Sequence, residues 1–450
     1  MIARLVLVAL LAAACSPAVA APAAPTAPTA PAPTAAAAPA FPFGSAERTA
    51  ALAAITTAVQ RDYVDPPMRA TLVDKLAAAE RAGRYATPDP ALFAERVTED
   101  MRAASHDHHM WMTVDLAAYA ASQAPPHSDA GADAFHRREV LRAHHGLAEL
   151  RRLPGNVRYL QITGFEWLAD ETGAAYDDAM RFLKDGDAVI IDVRGNPGGD
   201  HAAVRYLVSH FLAGDVLLLT FLHGSELPRQ SHTLENVPAG RLIGKPLYVL
   251  VDGHTGSAAE EFAYHVAQWK LGELVGATTG GAANNNDLVP IAPGFTLSVS
   301  VGRPVHALSG TNWDGVGVAP TVAVAPEQAL AAAEQLALRK LAAAPGATPD
   351  TLAEYAWAAV AVDAELHPVT LAPARLAALA GRYGEATVTL RGDALWFQRT
   401  GKRLVKLAPL TTDGLFAVAG MDFFRVRLTG RTAELSWAGE PGPRIYPRGK

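Results

Sequence analysis

The sequence predicts an α/β protein flanked by a helical N-terminal subdomain and a small antiparallel β domain. Three observations carry this expectation. Ala188–Val193 and Leu247–Val251 are short apolar, β-branched runs, each leading through turn residues into a helical pattern, as strands of a buried parallel sheet do. From Gly146 to Val324 strand-like and helix-like patterns alternate. Outside that region the period changes, becoming helical before residue 112 and turning into short alternating runs after Leu379. A chain of 450 residues has room for two or three domains, and 50% hydrophobic with 19% charged residues is ordinary for globular protein. A net charge of −6 offers no basic field to nucleic acid.

At the N-terminus, Arg4 precedes the apolar run Leu5–Ala14, which is too short to span a bilayer and reads as a signal peptide. Two processing sites compete. Ala18-Val19-Ala20 would end the leader at residue 20, whereas Leu11-Ala12-Ala13-Ala14-Cys15 has the form of a lipoprotein box, ending the leader at Ala14 and tethering the chain to a membrane through a lipidated Cys15. Either way the expected location is outside the cytoplasm: the periplasm or cell envelope, or the medium. Cys15 is the sole cysteine, so no disulfide and no cysteine nucleophile are expected. Residues 21–44 are almost wholly Ala, Pro and Thr, an extended spacer.

Residues 45–112 form the helical subdomain. Leu52, Ile55 and Val59 fall at helical spacing, Thr71–Ala82 repeats the pattern, and Asp89-Pro90 caps a helix running to about Ala104. It ends in Ser105-His106-Asp107-His108-His109-Met110-Trp111-Met112, which becomes a strand. His106, Asp107, His108 and His109 are competent metal ligands. Neighbours on a strand or tight loop point in different directions, so at most two or three converge on one ion. A solvated loop and a catalytic base are the other readings. Thr113–Val140 is mostly loop-like and carries Pro125-Pro126.

From Gly146 the pattern runs strand, turn at Pro154-Gly155-Asn156, strand Val157–Thr163, helix Asp170–Leu183, then the strand Ala188–Val193. Gly195-Asn196-Pro197-Gly198-Gly199 follows as a loop turning into a helix over Asp200–Leu212; its glycines let the backbone approach a ligand with N–H groups outward. No phosphate-binding pattern of the G-x-x-x-x-G-K-[ST] or G-x-G-x-x-G kind is present. Leu247–Val251 leads to Ser257 at the head of a helix over Ala258–Leu271. First-turn amides lack intrahelical partners there, which makes Ser257 a candidate nucleophile. Taken alone, Ser257-Ala258-Ala259-Glu260 reads as a capping box ahead of a nucleophile.

Together Asp192-Val193-Arg194-Gly195-Asn196-Pro197-Gly198-Gly199 and Thr255-Gly256-Ser257-Ala258-Ala259-Glu260-Glu261-Phe262-Ala263 resemble peptidase family S41, the group of C-terminal processing proteases, the tricorn core protease and the retinoid-binding repeats. Val275–Gly281 and Asn312–Pro320 follow in the family's order. The resemblance implies a crotonase- or Clp-like ββα core over residues 113–325. It implies Ser257 as nucleophile, His109 as general base from an Asp-x-His motif, and backbone N–H groups of Gly198, Gly199 and Ala258 as the oxyanion hole. Asp314, 57 residues after the serine (314 − 257), stands where the tricorn-like branch has glutamate. It could fix the histidine or orient the serine, and it reads equally as a turn aspartate before Gly315. The lysine base of the processing branch has no counterpart in Gly280–Ala283, and no PDZ module fits between residues 113 and 140. Asp192 and Arg194 read as a structural ion pair.

The expectation is an exported serine peptidase acting on peptides or unfolded proteins through an acyl-enzyme, with no cofactor or metal. The alternative is a non-catalytic binding protein for a lipophilic ligand or peptide on the same fold. Residues 326–370 read as a helical connector, with helices over Glu327–Ala343 and Pro349–Leu366. Residues 371–450 read as four to six antiparallel strands, with Trp396, Phe397, Phe423, Phe424 and Trp437 as core.

Overall fold

A computed structural model describes residues 41–123, 130–223 and 226–449; the expected leader, Cys15 and the expected spacer up to residue 40 lie outside the described residues, whereas Phe43, expected to be part of the spacer, is buried in the core. The chain forms two compact units. One comprises residues up to His106, Met110–Pro126 and Asn286–Val299; the other comprises Asp107–His109, His127–Asn285 and everything from Ser300.

In the first unit, three helices follow one another: α1 (Ser45–Asp62), α2 (Pro66–Arg81) and α3 (Pro90–Ser105). Asp89 starts α3 by accepting the N–H of Ala91 at 2.9 Å, with Pro90 at the first helical position, where its missing N–H costs nothing. The rings of Phe43, Phe93 and Phe295 pack with centroids 5.0–5.7 Å apart. Strand β1 (Trp111–Val114) pairs antiparallel with residues 295–298, and α4 (Leu116–Gln123) follows. The second unit opens with α5 (Ala130–Arg142). The stretch expected to be mostly loop is therefore mostly helical among the described residues. Its Ala, Leu, Arg and Glu content gives helix propensity enough where the hydrophobic periodicity is weak.

The second unit is built on β2 (Leu147–Leu153), β3 (Val157–Ile162), α6 (Asp170–Lys184), β4 (Ala188–Asp192), α7 (His201–Val208), β5 (Leu217–His223), β6 (Arg229–His232), β7 (Leu247–Val251), α8 (Ala258–Gln268) and β8 (Glu273–Gly276). β9 (Asn285–Ile291), β10 (Phe295–His306) and β11 (Val322–Ala323) follow. The sheet order is β11-β8-β7-β4-β3-β2, parallel except for the β2–β3 hairpin. The β2–β3–α6 succession is the ββα unit that the resemblance implies. Residues 302–306 of β10 pair antiparallel with β5, and β5 with β6.

Every residue of β4 and β7 is buried because both faces are covered. Val189, Ile191, Val249 and Val251 face α6, α7 and α8, whereas Ile190, Tyr248 and Leu250 pack on α9 (Ala329–Ala342). Alternate side chains of a strand point to opposite faces, so a strand covered on both sides must be apolar throughout. β4 and β7 are neighbours, Asp192 opposite Leu250, so the two motif loops leave the same end of the sheet side by side. α7 and α8 are shorter than expected; α8 stops at Gln268, just before Lys270 takes a left-handed φ of 52°.

After α10 (Pro349–Leu366) and α11 (Pro373–Leu379) comes a meander of eight antiparallel strands, β12 (Gly381–Tyr383) to β19 (Arg444–Pro447), whose ends meet in a bridge between Tyr383 and Arg448. Eight strands replace the expected four to six because the shortest, such as β12, carry too few residues to show a period. Phe397 and Phe424 are core, but Trp396 and Trp437 are half-buried and Phe423 is 58% exposed. Alternation along β17 (Met421–Leu428) turns Phe423 outward when Phe424 turns in.

Ile191, fully buried one residue before Asp192, tests the sheet that carries the motif. Ile191→Ala is expected to lower unfolding stability by about 2–5 kcal/mol in urea titrations with an unchanged slope. A loss below about 1 kcal/mol would mean that the site collapses around the deletion.

Candidate active site

Ser257 is half-buried at the N-cap of α8 with φ 48° and ψ −119°. A side chain at positive φ costs on the order of 1–3 kcal/mol, so the surroundings must hold it. They do so through hydrogen bonds between the two motif loops. Gly195 N–H donates to Asp252 Oδ1 at 3.0 Å, Gly256 N–H to the Asn196 carbonyl at 2.9 Å, and Thr255 Oγ1–H to the Val193 carbonyl at 2.9 Å. Asp192 and Arg194 form the expected structural pair: Arg194 Nε and Nη2 grip the carboxylate at 2.9 and 2.6 Å, and Tyr159 donates to it at 2.8 Å.

Gly198 lies directly against the serine. A Cβ on Gly198 would come within 2.6 Å of Ser257 Cβ and 2.9 Å of the Ala258 nitrogen, and its φ is +117°, so only glycine fits. As an oxyanion donor, however, Gly198 is corrected: its N–H is committed to Asn196 Oδ1 at 2.8 Å. The buried Asn196 draws it in, its own Nδ2 being tied to the Ile162 carbonyl at 2.9 Å. The N–H groups of Gly199 and Ala258 have no partner among the described residues.

The capping box is half made. Glu260 Oε2 accepts the Ser257 N–H at 3.0 Å, while the serine hydroxyl makes no cap hydrogen bond. Glu260 is fully buried and does more than cap: it also accepts Thr279 Oγ1–H at 2.5 Å, Gly281 N–H at 2.6 Å and Ala282 N–H at 2.8 Å. Burial pushes its carboxyl above the usual range, and these donors pull it back. The next two residues hold the carboxylates. Ala283 N–H donates to Asp314 Oδ1 at 3.0 Å, and Asn284 Nδ2 donates to both Asp314 Oδ2 and Asp107 Oδ2 at 3.0 Å.

Asp107 and His109 join Asp314 in one group, with one ligand-type atom of each within 4.8 Å of the others. Asp107 Oδ1 accepts the His109 backbone N–H at 2.9 Å, fixing the turn that presents the imidazole. His106 and His108 are exposed. The group's spacing would also admit a cation, but here the Asn284 amide bridges the two carboxylates. Burial, then the neighbouring Asp107, push Asp314 up to about 7. Sequence reasoning missed Asn284, which stands in a run of three asparagines, and saw Glu260 only as a cap.

Ser257 thus stands on a strained strand-to-helix turn with open amides beside it, and Asp107, His109 and Asp314 form a histidine–carboxylate group. Residues 156–324 match the model of peptidase family S41. It is 27% identical over 173 residues to the carboxy-terminal processing protease CtpB of Bacillus subtilis, covering 38% of this chain and 34% of that protein. It is 29% identical over 176 residues to the chloroplastic C-terminal processing peptidase of Tetradesmus obliquus, covering 38% of this chain and 35% of that one. The chain thus spans about a third of the length of these relatives. Among solved structures it resembles the photosystem II D1 C-terminal processing protease (TM-score 0.41, 16% identity, 63% of this chain and 94% of that one). It also resembles the tricorn protease (TM-score 0.42, 11% identity, 65% and 37%).

Two expectations follow from the geometry. Glu260→Gln sets an amide N–H2 against two or more donors and is expected to cost about 2–4 kcal/mol in chemical denaturation; a neutral outcome would remove Glu260 as the centre of the site. Asp314 holds its proton to about pH 7 in the folded chain, whereas an ordinary carboxyl loses it near 4. The folded state therefore binds the extra proton between those values, and its stability falls as pH rises from about 4 through about 7. Urea titrations from pH 5 to 8 should show that decline in the wild type and a flatter profile in Asp314→Asn; equal slopes would refute the assignment.

Proposed function

We propose that the protein is a serine-type peptidase that hydrolyses peptide bonds through an acyl-enzyme on Ser257, with His109 as general base. One observation carries the reading: Glu260 holds both the Ser257 N–H and the Ala282 N–H, and the next two residues along the chain, Ala283 and Asn284, hold Asp314 and Asp107, the residue that accepts the His109 N–H. In this mechanism His109 takes the hydroxyl proton as Ser257 Oγ attacks the substrate carbonyl. The developing oxyanion is met by the N–H groups of Gly199 and Ala258, each donor of this kind being worth about 3 kcal/mol. His109 then returns the proton to the departing amine, and water repeats the sequence to release the acid. Asp314, with Asp107 beside it, stabilises the imidazolium.

The names of the relatives, processing proteases that act at carboxyl termini, make peptides and unfolded chains the substrates to try first. The reading also sends the protein outside the cytoplasm, either free or tethered at Cys15, on the strength of the apolar run at residues 5–14 and the spacer after it. Ser257→Ala should abolish hydrolysis of an unfolded protein by about 10⁴-fold or more with folding intact. The check is turnover beside circular dichroism. Unchanged turnover in that variant would sink the mechanism, and absence of turnover or serine labelling in the wild type would favour the binding-protein alternative.

A further inference from the structure

A second group of titratable side chains, outside the proposed catalytic set, joins the first turns of the two helices that carry the free amides. His201 is the first residue of α7, two after Gly199; Glu261 lies in the first turn of α8, three after Ala258. His201 Nδ1 meets Glu261 Oε1 at 2.7 Å, and His201 Nε2 meets Ser231 Oγ on β6 at 2.6 Å. The edge of the Phe221 ring from β5 closes the third side, its centroid 4.8 Å from that of the imidazole. Behind Glu261 stand His265, 3.4 Å from the same carboxylate oxygen, and His306, whose Nε2 is 3.1 Å from His265 Nδ1. Glu261, His265 and His306 are buried.

The charges are settled by this company. Burial works against the His201 cation, but Glu261, with help from Asp200, overrides it and raises His201 above its ordinary value, while Arg205 opposes. Burial likewise opposes the Glu261 anion, and His201 with His265 holds it down at about 2. Burial and His265 push His306 down to about 3, so it stays neutral. The result is an ion pair between two helix starts, buried at Glu261 and half-buried at His201. Such a pair is a poor source of stability, because desolvation offsets the attraction. What it supplies is a fixed distance.

We propose that His201 and Glu261 are positioning residues that set the separation of the Gly199 and Ala258 amides, and so the width of the oxyanion site. The inference rests on the peptidase reading. Neither residue touches the reacting atoms. They act through the backbone, since a shift of α7 against α8 moves one amide and leaves the other with Ser257. Misplacing a donor by about 1 Å costs on the order of 10²-fold. The strut is fully charged below the pKa of His201 and weakens as pH rises through it.

The test is the second-order rate at which a fluorophosphonate labels Ser257, read by intact mass from pH 5 to 9. It compares wild type with His201→Gln, Glu261→Gln, the double variant and Ser231→Ala, each with its unfolding midpoint. The phosphonyl oxygen occupies the oxyanion site, so the rate reports the amides directly. Expected are losses of about 10- to 100-fold at pH 7 in either single variant, a double variant no slower than the worse single, and an alkaline limb in the wild type that His201→Gln lacks. Should His201→Gln fail to fold, Glu261→Gln and the milder Ser231→Ala carry the comparison. Single variants that label at the wild-type rate, or losses that simply multiply in the double, would overturn the strut while leaving the peptidase standing. A wild type that is never labelled would remove the peptidase reading, and the strut with it.

Discussion

The buried carboxylate of Glu260 is the interaction on which the rest of the site depends. An anion with no water around it is tolerable only where donors replace the solvent, and four do so here: one from the serine turn and three from Thr279–Ala282. Because every donor but the threonine hydroxyl is a backbone amide, the constraint is on chain path rather than on side-chain choice. The serine turn and the segment leading to Ala283 and Asn284 are held to one point, and whatever Asp314 and Asp107 do is done at a distance from Ser257 that Glu260 sets.

That point is reached by two loops which the sheet delivers ready aligned. β4 and β7 are adjacent and parallel, so Asp192–Gly199 and Asp252–Ser257 start level with one another. The cross-loop bonds at Gly195, Asn196 and Thr255 then have little freedom left to remove. Gly198 makes the closest approach, and the absence of a side chain there lets the serine keep a backbone conformation that would otherwise relax. The strain at φ 48° is stored in the turn by neighbours on both sides.

Most of this was legible in the residues. The two fully apolar strands announced a doubly covered sheet, the glycine loop announced a close approach, and Ser257 was placed correctly at a strand-to-helix junction. What could not be read was the destination of hydrogen bonds. Glu260 satisfied a local cap pattern, so nothing in the sequence demanded the three further donors that come from about 20 residues downstream. Asn196 hid in the same way: its side chain takes the Gly198 amide, a fact of loop curvature. Weakly periodic alanine-rich stretches were misread as loop at α4 and α5, where propensity outweighs pattern.

The shorter arm of aspartate at residue 314 acquires a physical meaning from Asn284. Asp314 Oδ1 is fixed by the Ala283 amide and Oδ2 by the asparagine, whose other bond goes to Asp107, so two carboxylates are held close by a single neutral bridge. Two anions at that spacing in a buried site cannot both ionise freely, and Asp314 gives way. On the peptidase reading this is an apt environment for a base. With Asp314 raised by burial and by its like-charged neighbour, the group places less negative charge near His109 at neutral pH than two ordinary carboxylates would. The aspartate, the asparagine and the second carboxylate thus form one electrostatic unit, in which burial and a like charge hold Asp314 well above the ordinary carboxylate range.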